Sequence, residues 1–306
     1  MELGVATLET DLEGALLLGP QALALAEGGQ ATLLSAYVEA EALVLGALQL
    51  ETTLRERSPA RFDQRIARRT TTGTEAQCSG PTLFHALALP RVDTLFSDAS
   101  ARTLLNRNLR AFLRGYTAAG VPLRYFGTEV LALLGHPVAL VGYDVSASGA
   151  VLIEVMVGLE HPCVVRPALK REPPAALYPL LRRAPPAAEF LRSAVSGFAA
   201  RLEATCVDVT GQLSSGARST VTEPTGVPVS VAIPLGVVEA VPRPVPRIFG
   251  DLLVSRAALA RVEAAARAAL EAGHRPGSDV LAPLLGAPLD GARPADILAA
   301  LDLLPD

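Results

Sequence analysis

Between Val121 and Leu159 the chain runs through VPLRYFG, VLALLG, PVALVGYDVSASG and AVLIEVMVGL, four short apolar runs separated by Gly and Pro. Runs of this length, apolar at most positions, are too short for paired helices and too greasy for strands half open to water. They predict a meander of strands forming a sheet that other elements must bury.

Helices to cover it are legible on either side. ASARTLLNRNLRAFLRGYTAAG places Leu104, Leu105, Leu109, Phe112 and Leu113 at helical spacing, with Asp98 and Ser100 to start the helix and Gly120 to stop it. AAEFLRSAVSGFAARLEA (187–204) brings Phe190, Leu191, Val195, Phe198 and Leu202 to one side. Upstream, ATLLSAYVEAEALVLGALQ (31–49) reads as two paired strands joined by the polar EAE, the second ending near Gly46. LFHALALP (83–90) alternates as a further strand, and PPAALYPLLRRAPP is Pro-punctuated short helix and loop.

Polarity rises at VTGQLSSGARSTVTEPTG (209–226), which lacks helical periodicity and reads as a linker. Beyond it, VPVSVAIPLGVVEAVPRPVPRIFGDLL suggests strands interrupted by proline. SRAALARVEAAARAALEAG is a helix with Ser255 as N-cap and Gly273 just past its end. DVLAPLLG and PADILAALDLL add two short helices, the second with Pro294 in its first turn. The expected architecture is α+β: a large domain over 1–212, a linker over 213–226 and a small α+β domain over 227–306.

Half of the residues are hydrophobic and 19% are charged, so the chain can bury a large core. A net charge of −4 offers no general attraction to nucleic acid or an anionic membrane. No apolar run is long enough to span a bilayer, and Glu2, Glu9, Asp11 and Glu13 argue against a secretory leader. Cys78, Cys163 and Cys206 are widely spaced, and His85, His136, His161 and His274 show no ligand spacing, so no structural metal is expected. The expected setting is a reducing, cytoplasmic one.

RRTTTGTEAQCSG (68–80) sets two cations before a run of small residues, a pattern for a turn that brings backbone close to an anion. Only Gly73 and Gly80 are glycines, and Glu75 carries the wrong charge for a phosphate loop. Two solvated arginines at a strand edge are the competing reading. Cys163, beside His161 in LEHPCVV, and Cys78 are candidate thiol nucleophiles, with inert buried thiols as the alternative. Glu129 and Glu154 read as ordinary strand or loop residues.

The order of these segments resembles the biotin/lipoate ligase family, in particular the lipoate–protein ligases. That family carries R-R-x-T-G-G-G-A-V-x-H where this chain has Arg68, Arg69, Thr70, Thr71, Thr72, Gly73, Thr74, Glu75, Ala76, Gln77 and Cys78. LVLGALQ (43–49) is similar to the family's V-x-G-x-x-Q, keeping Gly46 and Gln49, and 125–142 to its G-R-N-D-L-x-x-x-G-x-K-I-S-G segment. RIFGDLL and the helix after it resemble the accessory C-terminal domain. The resemblance implies ATP with Mg²⁺ and lipoate as ligands, and a lipoyl carrier domain as partner. It places the substrate and nucleotide site on Arg68, Arg69, Thr71, Thr72, Gly73, Thr74 and Gly46.

The departures fall where the chemistry would be. Thr72 and Thr74 replace glycines, and the family lysine falls near Pro137, while the chain's single lysine, Lys170, lies outside the matching segment. Adenylation brings a carboxylate to a phosphate and needs cations and N–H donors to offset the charge. The leading expectation is a divergent lipoate–protein ligase-like protein, activating or binding a lipoyl- or octanoyl-type acid for transfer to a carrier lysine, with adenylation impaired or absent. A non-catalytic pseudo-ligase that binds a carrier domain or partner protein is the second. A cysteine-dependent lipoyl or octanoyl transferase is the third.

Overall fold

The computed structural model describes residues 1–58, 63–165, 172–213, 224, 226–242 and 246–304. Lys170 and nearly all of the expected linker (213–226) lie outside the described residues. Nine strands form one mixed sheet: β1 (Glu2–Glu9), β2 (Thr32–Leu45), β3 (Arg65–Arg68), β4 (Ala76–Leu89), β5 (Arg124–Tyr125), β6 (Val130–Leu133), β7 (His136–Val145), β8 (Val151–Gly158) and β9 (Thr205–Asp208). Their order is β5-β6-β7-β8-β4-β2-β1-β9, with β3 beside β2. The expected meander is β5 to β8, antiparallel throughout.

Both faces of the sheet are covered, which is why β8 is buried at every position. On one face α1 (Leu12–Glu27) packs Leu12, Leu16 and Leu18 with Leu34, Ala86, Leu152 and Met156. On the other, α3 (Leu104–Ala118) and α5 (Ala187–Arg201) join Leu83, Leu87, Ile153 and Val155. Two shorter helices, α2 (Glu51–Arg57) and α4 (Leu177–Leu181), complete this region.

Two strand expectations need correction. The segment 31–49 is not a hairpin: Thr32–Leu45 is one strand, paired along its length with β4. The polar EAE marks a change of neighbour, since β1 pairs with residues 32–37 and β3 with 42–45, leaving Val38, Glu39, Ala40 and Glu41 without a ladder partner on that edge. Strand β4 begins at Ala76 rather than Leu83, so the second half of RRTTTGTEAQCSG is ladder and only Arg69–Glu75 is loop.

The C-terminal region holds an antiparallel sheet, β10 (Val229–Ile233), β11 (Gly236–Val241) and β12 (Arg247–Gly250), and a two-stranded ribbon, β13 (Leu253–Val254) with β14 (Leu289–Asp290). Helix α6 (Arg256–Glu271) is capped as its sequence predicts: Ser255 Oγ accepts from the Ala258 N–H at 3.3 Å, and Gly273 takes φ +75°. DVLAPLLG forms a 3₁₀ helix, Ser278–Leu284, because Pro283 interrupts α-helical bonding, and α7 (Pro294–Asp302) follows. Val238, Leu252, Leu253, Val254 and Ile297 share one apolar cluster with the α3/α5 face. No helix among the described residues is long and apolar enough to cross a membrane.

Candidate functional site

The Arg69–Glu75 loop leaves β3 and crosses β7 before entering β4. Gly142 of β7 permits the crossing, since a Cβ there would meet Thr71 Oγ1 and sit 2.5 Å from the Thr72 carbonyl oxygen. Arg68 is half-buried and donates to the carbonyls of Gly46 at 2.9 Å and Gln49 at 2.5 Å, closing the end of β2. It is therefore neither a solvated edge arginine nor aimed outward.

Arg69 is only 3% exposed. Its guanidinium donates to the Thr72 carbonyl at 3.0 Å, and Glu154, Glu129 and Glu75 supply the negative charge around it. Burial pushes this guanidinium down from its ordinary range, and the three carboxylates oppose that shift.

The N–H groups of Thr71, Thr72 and Thr74 are committed to the protein's own acceptors. Thr71 gives its N–H and hydroxyl to Glu154 Oε2 at 2.9 and 2.6 Å. Thr72 gives its N–H to the Tyr143 carbonyl at 3.1 Å, and its hydroxyl lies 2.8 Å from that same oxygen. Thr74 gives its N–H to Glu129 Oε2 at 3.1 Å. Gly73, at φ +113°, makes the turn between them. A cavity lined by Arg69, Glu154, Leu16 and Met156 measures about 10 Å³, at the lower limit for one water molecule.

Glu129 and Glu154 are the site residues that the sequence reading passed over. Burial raises both carboxyls, Glu129 to about 7, against the N–H of Thr74 at Glu129, the N–H and hydroxyl of Thr71 at Glu154, and the pull of Arg69 on each. The other oxygen of Glu129, Oε1, and the Thr74 hydroxyl are buried without hydrogen-bond partners. A glutamate in the middle of the otherwise apolar AVLIEVMVGL was the available signal for Glu154. A carboxylate surviving in a strand closed on both faces needs a specific partner.

The C-terminal region seals the other side of the loop. Thr72 Oγ1 is 3.1 Å from both the N–H and the carbonyl of Val254, and the Tyr143 hydroxyl donates to the Leu253 carbonyl at 2.8 Å. Gln49 Nε2 bridges Glu75 and Asp251, each at 2.7 Å, and Asp251 also pairs with Arg57 at 3.1 Å.

The remaining candidates bond to other residues, although His85 lines the Arg69 cavity and Cys163 bonds to the carbonyl of Met156, which lines it too. Pro137 is the second residue of β7, five positions from Gly142, or about 16 Å along the strand. Cys78 and Cys163 are fully buried, and burial pushes their thiols up to about 12 and about 11. His161 is exposed; His85 is buried between Ser35 and Tyr116, each at 2.8 Å, and burial lowers it to about 3. No group of three or more His, Cys, Asp or Glu among the described residues is arranged to hold a metal ion.

No protein-family model and no curated protein matches this sequence. Solved structures do. Lipoate-protein ligase A bound with ATP aligns with a TM-score of 0.50 at 14% identity, over 68% of this chain and 88% of that one. LipL1 of P. falciparum in complex with lipoate aligns with a TM-score of 0.50 at 10% identity, over 82% of this chain and 85% of that one. Identities this low carry the fold alone: a large mixed sheet flanked by helices, matching the biotin/lipoate ligase fold.

Proposed function

We propose that this chain is a non-catalytic protein on the lipoate-ligase scaffold, one that binds a lipoyl-type carrier domain or a partner subunit by its surface instead of activating an acid on ATP. The observation that carries this reading is the set of three carboxylates, Glu75, Glu129 and Glu154, gathered around the buried Arg69. Acid activation needs cations and free N–H donors at the phosphates. Here the N–H groups of Thr71, Thr72 and Thr74 serve internal acceptors, two of them carboxylates. A triphosphate brought to Arg69 meets like charge, so these residues do not fit ATP.

The reading in which the chain still activates a lipoyl- or octanoyl-type acid requires this loop to release its internal partners. The thiol-transferase reading requires a thiolate at Cys78 or Cys163, and both thiols are buried and held protonated. Calorimetry against MgATP, lipoyl-AMP and an isolated lipoyl carrier domain tests the proposal. Saturable heat with the carrier, silence with both nucleotides and no pyrophosphate release from ATP with lipoate are the expected results. Pyrophosphate release that depends on lipoate or octanoate would overturn it.

A further inference from the structure

A cleft of about 350 Å³ opens where three distant stretches meet: the β7–β8 turn, the start of α3, and the first turns of α6 with the 283–288 loop. Small-molecule sites begin at about 300 Å³. Its walls include Leu104, Val145, Ala257, Leu285 and Pro288, and they are tied together from behind. Arg256 binds Asp144 through its side chain at 2.5 Å and its N–H at 2.9 Å, and Ser255 Oγ donates to the Val145 carbonyl at 3.1 Å. The turn and the helix therefore hold one shape between them.

Charge distribution points to the occupant. Among the described residues, Arg261 is the one charged residue lining the cleft. The acids of its own helix are engaged elsewhere: Glu263 pairs with Arg247 and accepts from the Ile248 N–H, and Glu271 pairs with Arg267. Asp144, buried behind the cleft wall, is paired with Arg256. Arg261 makes no hydrogen bond or ion pair among the described residues. Apolar walls around one uncommitted guanidinium suit a ligand with an apolar body and a single planar anion, which the guanidinium fork meets with two parallel bonds. A polyanion needs more cations than the cleft offers.

We propose that this cleft binds a small monocarboxylate with a compact apolar body, its carboxylate on Arg261 and its hydrocarbon against Leu104, Ala257 and Leu285. This site shares no lining residue with the Arg69 cavity and is independent of the function proposed above.

Hexanoate and 4-phenylbutyrate, titrated by NMR against the full chain, are suitable probes, with 1-hexanol and 4-phenyl-1-butanol as uncharged counterparts. The acids are expected to saturate and to bind about tenfold or more tightly than the alcohols. Arg261→Gln is expected to remove that difference while leaving Tm unchanged, because the residue is exposed and bonded to nothing described. Ala147→Phe, at the exposed rim, is expected to block acid and alcohol alike. Absence of saturable binding by either acid, or undiminished acid binding in Arg261→Gln, overturns the proposal. Neither outcome bears on nucleotide or carrier binding, so failure here and failure of the functional reading are separable.

Discussion

Gly46 and Gly73 touch backbone to backbone: a Cβ on Gly46 would run into the Gly73 carbonyl, with no flexible side chain to yield. The end of β2 and the Arg69–Glu75 loop are thereby fixed against each other, and Arg68 and Gln49 bond across the same junction. Gly46→Ala is expected to destabilise the protein by about 1–3 kcal/mol through overpacking. Urea denaturation measures it, and stability within error of the parent would refute the close approach.

Glu129 connects the site to pH. Its carboxyl is raised from 4.5 to about 7 by burial, opposed by Thr74 and Arg69 and reinforced by Asp251. A raised carboxyl favours the folded state while protonated, so the gain is complete below about 4.5 and is lost as pH rises through about 7. The shift corresponds to a loss on the order of 3 kcal/mol across that window. Glu129→Gln is expected to flatten the profile between pH 5 and 8; an unchanged slope of unfolding free energy against pH would contradict the assignment.

Thr72 carries the bond between the loop and the C-terminal ribbon. In Thr72→Val the Val254 N–H loses its partner in a buried position, at a cost of about 1–3 kcal/mol. Hydrogen exchange at the Val254 amide should accelerate more than exchange at amides within β8. Equal acceleration at both would mean that the substitution acts through global unfolding alone.

Thiol chemistry separates the cysteine-transferase reading from the others. Of the three cysteines, Cys206 is exposed while Cys78 and Cys163 are buried. Iodoacetamide at pH 7.5 is expected to label one thiol per native chain and three after denaturation. Rapid native labelling at Cys163 or Cys78 would reopen the reading in which a thiol carries the acyl group.

Much of the scaffold was legible in the sequence because it rests on local rules. β6 stops two residues before Gly135 and β8 stops at Gly158, and Ser255, Gly273 and Pro294 mark helix ends by capping chemistry that needs only neighbouring residues. The continuity of β2 was not legible. EAE is polar because the strand changes parallel neighbours there, and which strands lie beside it is a property of the assembled sheet.

The same division runs through the site. The sequence by itself determined that paired arginines precede a small-residue loop holding few glycines and an acid, and that its single lysine lies elsewhere. Only the tertiary structure decided what the arginines face. Strand register sets Glu154 opposite Gly142 and Ala86, small residues that leave room for its carboxylate to reach Thr71, and Glu129 arrives from the turn before β6, fifty-five residues from Thr74 along the chain. A buried charge is stabilised by whichever opposite charges and donors lie within a few ångströms, and those distances are set by packing.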